Sequence, residues 1–253
     1  MATLSRRDFI LSSAALSVGA LTRGVVANAR IGAEVKVRQP AIGQSWQYAK
    51  HERLNGAVID TEIDSVSAVG RVIEIQTQSE LSQGKFRPYP SWGSRLLEKY
   101  GTHDRPAGRP PSEIQQPWGM ISVDSHWSEV QAYERPLPLW PTELRPGWSS
   151  GTIITRYQAY NEEPLVWQLT MHAHDWESIT VPAGRFEVLR YTNLVYFRWP
   201  NVTERDAALR QENIWFAPEI GRWVVRESFG TFREDLGTEV QESSYRWELL
   251  SWT

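Results

Sequence analysis

Apolar and polar residues alternate in the second half of the chain with the period of two that is typical of β-strands. In 223–229, Trp, Val, Glu and Phe fall on one side, and Val, Arg and Ser fall on the other. Residues 186–197 are rich in Phe, Val, Leu and Tyr, but Val188 and Leu189 stand next to each other. A bulge, or burial of both faces, explains that interruption. Both segments are predicted to be strands.

Prolines and glycines mark the turns between these strands. Pro182 cannot donate to a sheet ladder and Gly184 tolerates a positive φ, so this pair is expected to open a strand. Pro218 and Gly221 match the chemistry of a type I turn. This turn predicts a hairpin between 213–217 and the strand that follows it.

The same reasoning predicts further strands and two short helices. Asn55-Gly56 is a strong hairpin signal. Ser94 is a suitable N-cap for a helix over 94–100, and the polar stretch 204–210 is predicted to hold a second helix. The other predicted strands are 45–51, 57–66, 71–78, 151–160, 165–176 and 238–252, with a strand pair within 118–130.

The order of these strands and turns predicts a mainly β fold with an antiparallel sheet. Hairpin turns join consecutive strands, as in an antiparallel meander. Ten of the fifteen prolines fall within 86–148, so this stretch is predicted to be a Pro- and Trp-rich irregular insertion. It is either a functional loop or an embellishment over the open face of the sheet. We predict one β domain over 30–253 that includes the insertion and one or two short helices.

The first 29 residues have the order of a twin-arginine export signal. Arg6 and Arg7 precede an apolar run over 9–21 that is too short to anchor in a bilayer, and Ala27 and Ala29 fit a cleavage site. An ordinary amphipathic N-terminal helix is the alternative. The signal predicts a periplasmic or otherwise extracytoplasmic protein that uses the twin-arginine export machinery and does not span a membrane after cleavage.

Composition narrows the classes of function. The chain has no cysteine, which excludes a lipid-modified cysteine at the cleavage site and disulfide bonds. A net charge of −3 leaves no basic surplus to neutralise phosphates, so nucleic acid is not an expected partner. Twin-arginine export carries folded proteins, often with a cofactor bound. The sequence therefore leaves open whether the protein binds a cofactor, and it implies no particular one firmly.

His172 and His174 form the sharpest metal-like feature. Residues two apart on a strand share a face, so both imidazoles can reach one Zn²⁺ ion. A third ligand has to come from elsewhere, such as His126 or Glu177. The alternative is that both histidines are surface or core residues that form hydrogen bonds.

The segment 147–151 matches the G-x-S-x-G pattern around Ser149. A nucleophile elbow needs an apolar strand before the serine and a helix after it. Prolines precede this segment and β-branched residues follow it, so a hydrolase serine is not expected here.

Asp60, Glu62 and Asp64 alternate along a predicted strand and are expected to share one face. Three like charges on one face repel each other unless water or a cation is present. We interpret the row as a solvated face.

Tryptophan is unusually frequent, with thirteen residues in the chain. Its flat apolar ring and N–H suit sugar rings and lipid-like ligands as well as sheet cores. Tryptophans in predicted strands, including Trp223, are expected to be core residues. The candidates for lining a ligand cleft lie in or beside the Pro-rich stretch: Trp92, Trp118, Trp127, Trp140 and Trp148.

Two segments of the second half resemble the signature of uncharacterised bacterial envelope proteins, among them the TapB-like group. They are V-P-A-G-R-F at 181–186 and I-W-F-A-P-E-I-G-R-W-V-V at 214–225. In that group a V-P-A-G-x-F segment precedes a W-[YF]-[AS]-P-x-x-G hairpin.

Two shorter segments resemble other parts of the same group. P-G-W at 146–148 resembles its P-G-x-W opening with one residue missing, and G-Q-S-W-Q-Y at 43–48 resembles its first strand. The resemblance covers 43–66 and 146–229 and leaves the Pro-rich stretch uncovered. It implies a periplasmic antiparallel sheet curled into a half-barrel or open barrel, and it implies no catalytic residues.

These observations lead to three hypotheses of function. The first is a non-catalytic periplasmic protein that binds an apolar or carbohydrate-like envelope ligand, a lipid or a glycan, in a Trp-lined concavity. The second is a Zn²⁺-dependent enzyme that uses His172 and His174. The third is a scaffold or interaction partner in an envelope assembly that docks through sheet edges.

Overall fold

A computed structural model describes residues 35–79, 89–101, 110–125, 130–159, 163–198, 207–233 and 237–253. The chain divides into two units, Met1–Glu34 and Val35–Thr253, and the description below concerns the second. The predicted signal 1–29, with Arg6, Arg7, Ala27 and Ala29, lies outside the described residues, as do His126 and Trp127.

The described residues form thirteen antiparallel strands and one helix. The strands lie in one sheet in the order β10-β9-β8-β7-β6-β5-β4-β3-β2-β1-β13-β11-β12, and β10 also pairs with β11. Twelve strands therefore close into a barrel, and β12 pairs with β11 beside it. The elements are β1 Ser45–Glu52, β2 Val58–Val69, β3 Ile73–Ser79, α1 Ser91–Tyr100, β4 Glu113–Gln115, β5 Met120–Asp124, β6 Gln131–Pro138, β7 Ser149–Ala159, β8 Leu165–Val181, β9 Gly184–Phe197, β10 Ala207–Ala217, β11 Arg222–Arg233, β12 Glu239–Gln241 and β13 Tyr245–Trp252.

The mainly β, antiparallel fold is confirmed, but the barrel is more closed than the half-barrel or open barrel that was expected. Two pairings complete the ring. β10 pairs with β11 from Ala207↔Arg233 to Ala217↔Arg222. β13 pairs with β11 and with β1, so the C-terminal strand joins the two ends of the meander. Among the described strands, closure leaves β12 as a three-residue edge, so little edge remains for docking of a partner.

Turns lie where prolines and glycines occur in the sequence. Pro182 and Ala183 connect β8 to β9, and Val181 pairs with Gly184, whose φ is 134°. In the hairpin between β10 and β11, the backbone N–H of Gly221 donates to the carbonyl oxygen of Ala217 at 3.1 Å. The φ of Gly221 is 67°, a value that favours glycine.

The Pro-rich stretch contains regular structure that its composition did not predict. α1, β4, β5 and β6 all lie within 86–148, and the last three are strands of the barrel. α1 begins at Ser91, three residues before the expected cap Ser94, and Pro90 is its N-cap without a side-chain hydrogen bond. The helix of the described part of the chain is α1, which has ten residues. It is not long and apolar enough to cross a membrane.

The helix expected over 204–210 is wrong for the residues that the structure describes. Residues 207–210 form the start of β10. Ala208 pairs with Phe197 on one side and with Phe232 on the other, so the sheet satisfies its backbone groups. Pairing with two neighbouring strands overrides the local polarity that suggested a helix.

Two apolar clusters fix the position of the elements. The larger one fills the barrel and includes Trp46, Tyr191 and Trp223. The smaller one lies under α1 and contains Leu97 and Ile114. α1 therefore packs against the outside of the strands β4 to β6, while the inner faces of the strands form the interior in which the candidate site lies.

Candidate binding cavity

A cavity with a volume of about 50 Å³ lies inside the barrel. Residues of β5, β6, β8, β9, β10 and β11 line it. Large side chains form most of its wall. Four of them are aromatic: Tyr133, Trp167, Tyr191 and Trp223. Ring contacts hold part of this wall, because the Tyr133 and Trp167 rings meet edge to face with centroids 5.4 Å apart.

A polar cluster forms the rest of the cavity wall. Glu212 accepts hydrogen bonds from Arg226 at Oε1, 2.8 Å from Nε and 2.5 Å from Nη2. Asn193 lies directly opposite Glu212 in the β9–β10 register, and its Nδ2 donates to Glu212 Oε2 at 3.1 Å. The acceptor Oδ1 of Asn193 has no hydrogen-bond partner among the described residues. An acceptor in this state favours an additional donor, such as a ligand or a water molecule.

Burial and neighbouring charges shift the pKa values of Arg226 and Tyr191 in the cavity wall. Burial lowers the pKa of Arg226, but the carboxylates of Glu212 and Asp124 raise it more, so the guanidinium stays protonated. Burial raises the pKa of the Tyr191 phenol, which donates its proton to the carbonyl oxygen of Leu139. The Arg226 guanidinium therefore stays charged and the Tyr191 phenol stays neutral at physiological pH.

A second buried ion cluster lies next to the first. Arg222 donates to Glu113 and, at 2.7 Å, to Asp64. Both guanidinium groups lie over the Trp223 ring, with their central carbons 4.2 Å (Arg222) and 5.2 Å (Arg226) from its centroid. The cavity wall and the two ion clusters thus form one continuous polar and aromatic interior.

The acidic row on β2 belongs to this interior. Asp60, Glu62 and Asp64 share one face, but it is the inner face, because Asp64 pairs opposite the buried Trp46. Asp60 and Asp64 are 5% and 1% exposed, so the interpretation as a solvated face is wrong for both. Arg222 provides the positive charge that makes burial of Asp64 tolerable.

Four of the five tryptophans expected to line a cleft lie outside the wall of this cavity. Trp118 stacks on Trp46 at 6.5 Å and meets Trp140 edge to face at 5.4 Å. Trp148 is buried in the same large cluster, and Trp92, a residue of α1, packs against the small one. None of these four lines the cavity, and Trp127 lies outside the described residues.

The polar cavity residues Asn193 and Glu212 were missed because each lies in an ordinary alternating strand. Asn193 stands between Tyr191 and Val195 in the inward set of β9, and Glu212 precedes Ile214 in that of β10. A polar residue in an otherwise apolar inward set is the signal that points to such a site. Trp167 and Trp223 are core residues, as was expected for Trp223, and only the fold shows that they also line the cavity.

His172 and His174 share the outer face of β8, with ring centroids 5.0 Å apart. His174 Nε2 lies 2.7 Å from Thr192 Oγ1, and Glu177 accepts a hydrogen bond from Trp215 Nε1 at 2.5 Å. Within the described ranges, no three metal-ligating side chains come together. Burial lowers the pKa of His174, and the positive charge of Arg190 lowers it further.

Ser149 begins β7 and is exposed. A strand follows it rather than the helix of a nucleophile elbow. Its Oγ accepts a long hydrogen bond from the backbone N–H of Gly151 at 3.5 Å. The G-x-S-x-G match therefore lies at the start of a strand and lacks the structure of a nucleophile elbow.

Comparison with known proteins adds information about the fold. No protein-family model matches the sequence, and no curated protein sequence matches it either. The resemblance to the TapB-like group therefore stays a prediction.

Two solved structures are similar. One is a protein inferred to be exported, with a YmcC-like fold, from Bacteroides fragilis NCTC 9343, at 11% identity and a TM-score of 0.50, covering 87% of this chain and 99% of its own. The other is a protein inferred to be a lipoprotein from Parabacteroides distasonis ATCC 8503, at 12% identity and a TM-score of 0.49, covering 87% of this chain and 100% of its own. At such identities, the similarity to the first structure extends to the fold alone.

Proposed function

We propose that the chain is an exported, non-catalytic binding protein that holds an apolar or carbohydrate-like ligand of the cell envelope inside its barrel. The observation that carries this proposal is the cavity between Trp167, Trp223 and the Arg226–Glu212–Asn193 cluster. Binding sites for small molecules combine mostly apolar walls with a few convergent polar groups, and this cavity has both.

The volume of the cavity limits what enters it. The space of about 50 Å³ corresponds to roughly three to five water molecules. A complete sugar ring or lipid chain is larger than this. The proposed ligand therefore inserts one end, such as a hydroxymethyl group, or it moves the wall when it binds.

Export is the second part of the proposal. The twin-arginine pattern at Arg6 and Arg7 supports it, and the structural neighbour from Bacteroides fragilis is itself inferred to be exported. The expected compartment is the periplasm, and the expected partner during export is the twin-arginine machinery. An envelope ligand, a lipid or a glycan, follows from that location.

A fluorescence screen tests the binding function. Trp167 and Trp223 lie in the cavity wall, so occupation is expected to shift the intrinsic tryptophan emission of the full-length chain. The screen uses fatty acids and phospholipids as apolar probes and neutral sugars as polar probes. Leu169→Phe fills the cavity, and Leu194→Phe on the outer face of β9 is the matched control.

The expected result is a saturable shift with at least one probe class. We expect this shift to be absent in Leu169→Phe and intact in Leu194→Phe. If neither probe class changes the emission, or if Leu169→Phe responds like the control, the proposed function is incorrect.

A second candidate is a metal-dependent function at His172 and His174. The proximity of their rings, 5.0 Å between centroids on one face, favours it. Metal analysis of the protein purified from its host is the test. Stoichiometric Zn²⁺ that is lost in His174→Ala would favour this candidate, and protein without bound metal would end it.

A further inference from the structure

We propose that a ligand reaches the cavity sideways, through the barrel wall between 134–138 of β6 and 149–156 of β7. This inference rests on the proposed function and specifies how the same site is filled and closed. It follows from the pairing of these two strands, from a hydrogen bond that bridges them, and from the position of the cavity behind them.

β6 and β7 are neighbours in the sheet, but they pair along a short stretch. Their register contains three pairs, from Gln131↔Ala159 to Tyr133↔Tyr157. By contrast, β7 pairs with β8 at seven positions. Within the described residues, the ladder between β6 and β7 therefore ends at Tyr133, and 149–156 has its strand partner on the β8 side.

The sequence of β6 explains why this ladder ends. Pro136 and Pro138 have no backbone N–H and cannot donate to a ladder. The pairing of β6 with β5 is also irregular, because the register passes over 133–136. Fewer ladder hydrogen bonds therefore hold this part of β6 than hold the other strands of the cavity wall.

A hydrogen bond to a side chain bridges the gap between the two strands. The backbone N–H of Arg135 donates to Thr155 Oγ1 at 3.1 Å. Thr155 is 4% exposed, whereas Glu134 and Arg135 are exposed. A single neutral hydrogen bond contributes little to stability in comparison with a continuous ladder. The Thr155 hydroxyl can therefore act as a latch that opens while the rest of the barrel stays paired.

The cavity lies behind this latch. Thr155 pairs opposite Trp167 in the register of β7 and β8, and Trp167 lines the cavity. On the β6 side, Tyr133, Leu137 and Pro138 line it. The rings of Tyr133 and Trp167, with centroids 5.4 Å apart, connect β6 to β8 across the inner face of β7. Separation of β6 from β7 therefore also parts these rings and opens the cavity.

Loosening the latch provides the test. Thr155→Val keeps the shape of the side chain and removes the acceptor of the Arg135 N–H. Thr152→Val, at an exposed threonine of the same strand, is the matched control. Laurate is the probe for the full-length chain, and stopped-flow tryptophan fluorescence gives its association and dissociation rate constants.

We expect both rate constants to rise about fivefold in Thr155→Val and to stay at the wild-type values in Thr152→Val. A latch that opens more often admits and releases the ligand faster by the same factor. The dissociation constant should therefore not change, since Thr155 does not line the cavity.

Thr155→Ser retains the hydroxyl, and we expect it to keep the wild-type rate constants. This variant distinguishes loss of the latch from any other effect of a substitution at this position. Thr155→Ala removes the same hydroxyl and is measured instead if Thr155→Val does not fold.

The outcomes separate this inference from the proposed function. Equal rate constants in Thr155→Val and the wild type mean that the ligand enters elsewhere, which overturns the inference and leaves the proposed function intact. A change in one rate constant alone also overturns it, because Thr155 then acts on the bound state. Glucose replaces laurate if only the sugars bind. If no probe binds, the proposed function fails, and the inference fails with it.

Discussion

Arg222 donates two parallel hydrogen bonds to Glu113, 2.9 Å to Oε1 and 2.8 Å to Oε2, across 109 residues of sequence. Both side chains are buried, at 1% and 0% exposure. Such bidentate contacts between charged groups are among the strongest hydrogen bonds in proteins. Because Asp64 shares the same guanidinium, one arginine holds three strands of the barrel interior together.

Replacing Arg222 is expected to destabilise the folded protein strongly. Arg222→Ala leaves the carboxylates of Asp64 and Glu113 buried without their counter-charge, which costs about 3–5 kcal/mol of unfolding free energy. Arg145→Ala breaks the exposed pair with Glu143, at 2.7 Å, and is expected to cost about 0–1 kcal/mol. Urea unfolding followed by tryptophan fluorescence measures both, and equal losses would mean that water reaches the interior pair.

Gly221 is expected to be intolerant of a side chain. Its φ is 67°, and a Cβ atom there would meet the backbone oxygen of Arg38 at 2.7 Å. Gly147 has a similar φ of 74° with no atom within 4 Å, so it isolates the effect of the dihedral angle. Gly147→Ala should cost about 1 kcal/mol, and Gly221→Ala clearly more. Urea denaturation of both variants is the measurement, and similar losses would refute the proposed contact with Arg38.

His174 is expected to titrate below the ordinary histidine value, because burial and then Arg190 lower its pKa. The unfolded chain then binds more protons than the folded one as the pH falls through about 6.5, so stability decreases in that window. An NMR titration of the imidazole gives the pKa directly. His174→Gln should reduce the acid sensitivity of the unfolding free energy, and an unchanged pH profile would contradict this assignment.

Tyr48 is expected to resist ionisation. Burial raises the pKa of its phenol, which donates to the carbonyl oxygen of Trp223 at 3.0 Å. The folded state keeps this proton when the unfolded state loses it, so stability falls as the pH rises above about 10. Tyr48→Phe should cost about 1 kcal/mol at neutral pH and show a smaller alkaline loss. Unfolding curves at neutral and alkaline pH test this, and identical alkaline losses would refute it.

Local sequence predicted the strands well and the closure poorly. Alternation in 223–229 and the turn at Pro218 depend on neighbouring residues, and both agree with the β10–β11 hairpin. Closure depends on β13 pairing with β1 and β11, residues far apart in sequence, which periodicity cannot reveal. The first helical turn at Ser91 was missed because no side chain caps it.

The site was harder to predict than the fold for a related reason. The row Asp60, Glu62 and Asp64 looked solvated because its counter-charge, Arg222, lies 158 residues beyond Asp64. Trp118, Trp140 and Trp148 pack in or against the large apolar cluster, a position that the loop-like composition of the Pro-rich stretch did not indicate. Long-range partners decide which polar residues are buried, and one sequence does not name them.

The position of β13 in the ring also has a consequence for biosynthesis. Ribosomes make the chain from its N-terminus, and β1 must wait for a neighbour roughly two hundred residues downstream. Until Tyr245–Trp252 is released, the barrel has an open seam, and its charged lining stays hydrated. Sealing of the interior therefore has to wait for this strand, and a nascent chain cut short before it cannot complete the wall.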